Sequence, residues 1–129
     1  MTLDLWCLVA NALWGFVLVL IEIAGKTSAA GAAWNRGNRD ASQSFPAWTD
    51  RAGRALTNHK ENFPMFLTAV LVVQLAGRAD RVSGYASITY MTARLLHAAL
   101  YIGGVTGVRT AVWWGGVLST LVIFSRLFV

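Results

Sequence analysis

Apolar positions fall in four long runs joined by three polar links. The first run, Leu5 to Ile21, carries no charge and lies between Asp4 and Glu22. A secretory leader has positive charge ahead of its apolar run and an Ala-x-Ala-like site behind it. This run has neither, so it reads as a retained first span. Lys26 to Asp50 is rich in Gly, Ala, Ser, Asn and Arg and is predicted to be a long loop, the kind that tends to be functional or mobile. Thr49 or Asp50 is suited to cap a second helix from Arg51 to Gly77, polar in its first third and apolar after. Pro64 lies inside it and removes the amide that would bond the carbonyl of Lys60, so a kink without a break is expected. Arg78 to Arg81 form a polar turn, a third span follows from Ser83 to Gly104, and a glycine-rich turn leads to the fourth. The expectation is an all-α, integral membrane four-helix bundle. One domain covers residues 1–129, with spans at about 4–25, 51–77, 83–104 and 110–127 and a cytoplasmic loop at 26–50.

Composition narrows the choices. The chain is 56% hydrophobic and only 13% charged, with mean hydropathy +0.52. A soluble domain needs roughly a quarter of its residues charged, so a soluble globular monomer is excluded. A span takes about 20 residues, and four of them nearly exhaust 129 residues. The net charge of +5 then marks cytoplasmic loops and anionic headgroups, not nucleic acid as a partner. Lys26, Arg36, Arg39, Arg51, Arg54 and Arg109 fall on one side, and Arg78, Arg81 and Arg126 on the other. The positive-inside rule makes the first side cytoplasmic and turns both termini outward, in a multi-pass protein of a bacterial inner membrane. The bacterial source is read from the richness in Ala, Gly and Arg. Trp6, Trp48 and the Trp113–Trp114 pair lie where aromatic belts belong. One cysteine and two histidines, with no ligand spacing, exclude a metal framework, and Cys7 reads as a small buried hydrophobe.

Two polar stripes remain. Arg51, Arg54, Asn58 and Glu61 recur every three or four residues and share one face of the second helix. Arg94, His97 and Tyr101 do the same in the third. An arginine in mid-span costs at least about 2.5–3.5 kcal/mol on insertion scales, so Arg94 should face the interior and a partner. Glu61 is the nearest acidic candidate by depth, as a structural ion pair or as part of a site. With Arg109 at the start of the fourth span, these groups converge on the cytoplasmic half, with apolar walls beyond. Such a pocket suits a small anionic, peptide-like molecule beside a lipid-soluble one. Asn11 and Gly15 on the first span read as helix packing, and His59 as peripheral to the second-helix stripe.

The segment RAGRALTNHKENFPMF, Arg51 to Phe66, resembles the signature of the MAPEG family, the membrane-associated proteins in eicosanoid and glutathione metabolism. The pattern Arg-x-x-Arg-Ala-x-x-Asn-x-x-Glu-x-x-Pro-x-Phe is met at Arg51, Arg54, Ala55, Asn58, Glu61, Pro64 and Phe66. ARLLHAALYIGGVTGVR, Ala93 to Arg109, is similar to the family's third helix and the turn beyond it. The resemblance implies a homotrimer that holds glutathione, as cosubstrate, between subunits in the cytoplasmic half. Arg51 belongs to the same motif face, and Arg54, Asn58 and Glu61 would contact the glutathione backbone and charged ends. His97 and Tyr101 would line the site, and Arg94 would pair with Glu61 or the ligand. Arg109 would be the catalytic arginine that stabilises the thiolate, and Lys26 stands in for a family arginine after the first span. Asn62 departs from the tyrosine of the leukotriene-synthase branch, and the loop after the first span is longer than in the eicosanoid enzymes.

The leading function is a glutathione-dependent membrane transferase or peroxidase acting on a lipophilic electrophile, with membrane lipid or that lipophilic substrate as its other partner. The alternative is a non-catalytic lipid-binding protein of the same fold. A small multidrug exporter is disfavoured, because Asn11 and not an acid occupies the interior of the first span.

Overall fold

The structure, a computed structural model, describes residues 1–129. It contains α1 (Leu3–Ala30), α2 (Ala32–Arg36), α3 (Ala47–Leu75), α4 (Arg81–Gly103) and α5 (Arg109–Ser125), then a 3₁₀ turn at Arg126–Phe128, and no strands. The four long helices run up and down. α3 and α4 each pack on both α1 and α5, which flank them. One end of the bundle holds both chain termini; the other holds the links after α1 and α4. Leu3–Ala30 and Arg109–Phe128 are long and apolar enough to cross a membrane by length and composition. α3 and α4 are less apolar because they carry the polar stripes.

The segment 26–50 is not the open loop that its composition suggests. α1 continues to Ala30, helped by Lys26, whose Nζ lies 2.6 Å from Glu22 Oε1 one turn back. It stops at Gly31, where φ is 84° and the amide returns to the carbonyl of Thr27. α2 follows, and Trp34 folds the remainder back: its Nε1 donates to the Ala41 carbonyl at 2.9 Å and its ring meets Phe45 edge-on. α3 begins at Ala47, ahead of the expected cap, with Pro46 as the residue before it. At about 1.5 Å per residue α1 and α3 exceed the roughly 30 Å hydrocarbon core, so their extra turns extend beyond it. α3 passes through Pro64 without interruption.

The terminal half has a hydrophobic core of Cys7, Phe66, Ala69, Val70, Val73, Ala86, Tyr90 and Ile123, with Phe66 stacked on Tyr90 at 3.9 Å between centroids. A smaller cluster, Leu18, Ala55, Leu56 and Ala98, fills the other half. Polar ties close the terminal end. Asp4 is only 3% exposed and accepts hydrogen bonds from Ser87 Oγ (2.9 Å) and Ser83 Oγ (3.2 Å). Asp80 caps α4 in a reciprocal box with Ser83, and its Oδ2 accepts from Arg126 Nη2 at 2.7 Å.

The amide of Ser83, and with it Arg126, holds the Asp80 carboxyl below its ordinary value of 3.8. A depressed carboxylate stabilises the fold above its unfolded pKa, and that contribution is lost as pH falls through the folded value. Asp80→Ala is therefore expected to lower the melting temperature at neutral pH. The gap to the parent should narrow as the pH is lowered from about 3.8 through the folded value, and a gap of constant size across that range would exclude the linkage.

Candidate functional site

The buried face of α3 is centred on Ala55, His59, Phe66 and Val70. Successive residues turn by about 100°, which puts Asn58 at the border of that face and rolls Arg54 and Glu61 to its open side, where both are exposed. The expected stripe exists, but it lies along an edge. Arg51 is anchored at the loop end, where its Nε donates to the Ile102 carbonyl at 2.9 Å as that chain leaves α4. Its guanidinium also lies against Gly104, which ends α4 with φ at 78°, a left-handed conformation that glycine adopts without strain.

α4 carries the deeper stripe. Arg94 is only 3% exposed, enclosed by α3, α4 and α5. Its Nη1 donates to Asn58 Oδ1 at 3.1 Å and its Cζ lies 5.5 Å from the Tyr90 ring centroid. Nε and Nη2, on one edge of the guanidinium, are buried without an acceptor. The Arg94–Glu61 pair is not formed within the chain: the two ion pairs present are Glu22–Lys26 and Asp80–Arg126. The reason is angular, since Arg94 enters the bundle beside the border residue Asn58 while Glu61 faces away.

One turn on, His97 is buried and meets Tyr101 edge-on at 5.6 Å. Arg109, the first residue of α5, spreads over the Tyr101 ring with Cζ at 4.1 Å from its centroid. Asn58–Arg94 and, one turn of α4 further on, His97–Tyr101–Arg109 thus form two sets of contacts strung along α4 from the bundle interior to the loop end. Lys26, Arg54 and Glu61 are not gathered into either; Lys26 is engaged by Glu22.

His59 is not peripheral. It lies at the centre of the α3 interface, 6% exposed, stacked on Phe63 and seated against Gly15 of α1, with Nδ1 unpartnered. The apolar residues Ala55, Phe66 and Val70, which share its face of α3, would have placed it there. Asn11 is fully buried and donates to Met91 Sδ of α4 at 3.1 Å, the cross-helix contact expected of it. Outside these polar contacts, α3 and α5 enclose an apolar crevice of about 180 Å³, lined by Asn62, Met65, Val117, Thr120, Leu121 and Phe124.

A comparison with known protein families matches the MAPEG family over residues 4–129. The chain belongs to the MAPEG family. No curated protein and no solved structure matches it. MAPEG proteins are membrane-associated and, as a family, glutathione-linked, so the helical bundle is a membrane bundle. The match spans both motif segments and the crevice between α3 and α5. In this MAPEG chain Asn62 turns its amide back to the Asn58 carbonyl at 2.8 Å, which leaves the crevice wall without an aromatic ring at that position.

Proposed function

We propose that this protein is a glutathione-dependent membrane transferase or peroxidase acting on lipophilic electrophiles. The observation that carries the reading is Arg94: a buried cation with two guanidinium nitrogens unpartnered and no carboxylate paired with it. In a membrane interior such a group calls for an anionic partner. The Nε–Nη2 edge of a guanidinium presents two parallel donors, which match a carboxylate. Glutathione, an anionic peptide with a thiol, satisfies that edge with one end. Arg51, Asn58, His97 and Tyr101 supply further donors and a wall, and Arg109 receives the sulfur. The thiolate attacks an electrophilic carbon of a substrate arriving from the lipid through the α3–α5 crevice. A carbon–sulfur bond forms as the leaving group departs with its electron pair.

Arg54 and Glu61 are charged, exposed in the single chain and on the α3 face beside the site. Burial by a second subunit would bring them, and a neighbour's Lys26, to the ligand, which is the basis for proposing a homotrimer with sites between subunits. The chain then crosses the membrane four times, with the loop end cytoplasmic and both termini outside.

The test is calorimetric binding of glutathione to purified protein in nanodiscs, with thiolate ultraviolet absorbance and turnover of an activated aryl chloride. Saturable binding, thiolate absorbance and chloride release are expected. Folded trimers that neither bind nor turn over millimolar glutathione would refute the enzyme reading. Lipid retained through purification without thiolate absorbance would favour the non-catalytic alternative.

A further inference from the structure

Several polar side chains of this bundle rest over a glycine of a neighbouring helix: His59 over Gly15, Glu22 over Gly53 and Arg94 over Gly116. The last has the tightest fit to a charged group. A Cβ added at Gly116 would stand 2.9 Å from Arg94 Nη2, 3.3 Å from Nε and 3.4 Å from Cζ. Those are the two nitrogens that lack an acceptor, so the glycine faces the edge of the guanidinium that binds carboxylates. The opposite side is fixed by Asn58 Oδ1 on Nη1. The neighbouring Gly115 has open space at its Cβ position.

We infer that Gly116 is a positioning residue, which acts through Arg94 by seating the Nε–Nη2 edge of its guanidinium in a notch of α5. A methyl group there would not disrupt the backbone, because what it meets is the far end of a flexible side chain. It would displace that end from the notch. The helix itself accepts alanine more readily than glycine, so folding and positioning separate at this residue. The consequence for ligand affinity rests on the glutathione reading; the seating of Arg94 does not.

The experiment therefore reads both. In protein carrying isotope-labelled arginine, the Arg94 Nε–H resonance is assigned by its loss in Arg94→Met. Gly116→Ala is expected to move that resonance, to leave the melting temperature level or higher, and to weaken glutathione binding by roughly 10-fold or more, as loss of charge-assisted hydrogen bonds does. Gly115→Ala, the matched control, should move neither the resonance nor the affinity. In an Arg94→Lys background, Gly116→Ala should cost no further affinity, since a residue that acts through Arg94 has nothing left to position. If Gly116→Ala does not fold, Gly116→Ala with Arg94→Met, which removes the clashing head, is expected to fold. An unmoved resonance, an equal effect from Gly115→Ala, additive losses, or failure of both Gly116 proteins to fold would each overturn the inference. If the parent binds no glutathione, the glutathione reading falls while the resonance still decides the seating.

Discussion

Arg109→Ala is expected to bind glutathione nearly as well as the parent and to lower kcat/KM on the order of 100-fold or more, as removal of one well-placed donor to a developing anion does. A free thiol has a pKa near 8.5, so only a few per cent is ionised at neutral pH. A guanidinium beside the sulfur raises that fraction. In this bundle the guanidinium rests on the Tyr101 ring, with Cζ 4.1 Å from its centroid, and Tyr101 in turn meets His97 edge-on. The signature is specific: the thiolate absorbance of the bound ligand at neutral pH should vanish. Activity should recover as the pH is raised past about 8.5, where glutathione ionises unaided. Arg109→Lys should retain part of the effect, since it keeps the charge and loses the flat contact with the ring. Stability should hardly change: the ring contact contributes about 0.5–1 kcal/mol at an accessible site, and a cation at a helix N-terminus is opposed by the macrodipole. Persistence of the absorbance in Arg109→Ala would move the role to another cation of the loop end, with Arg51 and Lys26 the next to test.

The membrane bundle was legible because hydrocarbon leaves few ways to arrange backbone and charge. Residue type marks the polar turn ahead of α4 and the glycine-rich link between α4 and α5. Composition is a poorer guide than geometry. Thr27 to Ala30 look like the start of a loop by their small side chains, yet alanines are good helix formers and Lys26–Glu22 supports that turn. Spacing by three and four identified the face shared by Arg51, Arg54, Asn58 and Glu61. It does not say whether that face is the centre of the interface or its rim, and the neighbouring apolar positions decide this: Ala55, Phe66 and Val70 centre on His59. Asp4 looked like a flanking charge because its partners, Ser83 and Ser87, are some eighty residues away. Gly116 was beyond sequence reasoning altogether, since a glycine in an apolar helix signals nothing until the neighbour filling its notch is known.

Replacing Arg94 by methionine should separate stability from function in opposite directions. The residue is 3% exposed and makes one hydrogen bond, to Asn58, for a side chain with five N–H groups. Keeping an arginine at that depth costs at least about 2.5–3.5 kcal/mol on insertion scales, against about 1.5–3 kcal/mol for a hydrogen bond to a charged group. A methionine of similar length fills the space above Gly116, stays in contact with the Tyr90 ring and leaves only Asn58 Oδ1 to find another donor. The ligand-free protein is therefore expected to melt at the same temperature or higher, since replacing buried charge with well-packed apolar side chains is often neutral or stabilising. Glutathione affinity should fall on the order of 100-fold or more, the scale of losing a charged partner from a desolvated pair. Thermal melts with and without glutathione report both quantities: the parent should gain stability with the ligand and Arg94→Met should not. A large drop in the ligand-free melt would instead make Arg94 a structural keystone, paired in the assembled protein with a carboxylate from another subunit, and Glu61→Gln should then reproduce the loss. The prediction thus tests whether this buried charge is retained for the ligand, at the expense of the fold, or for the fold itself.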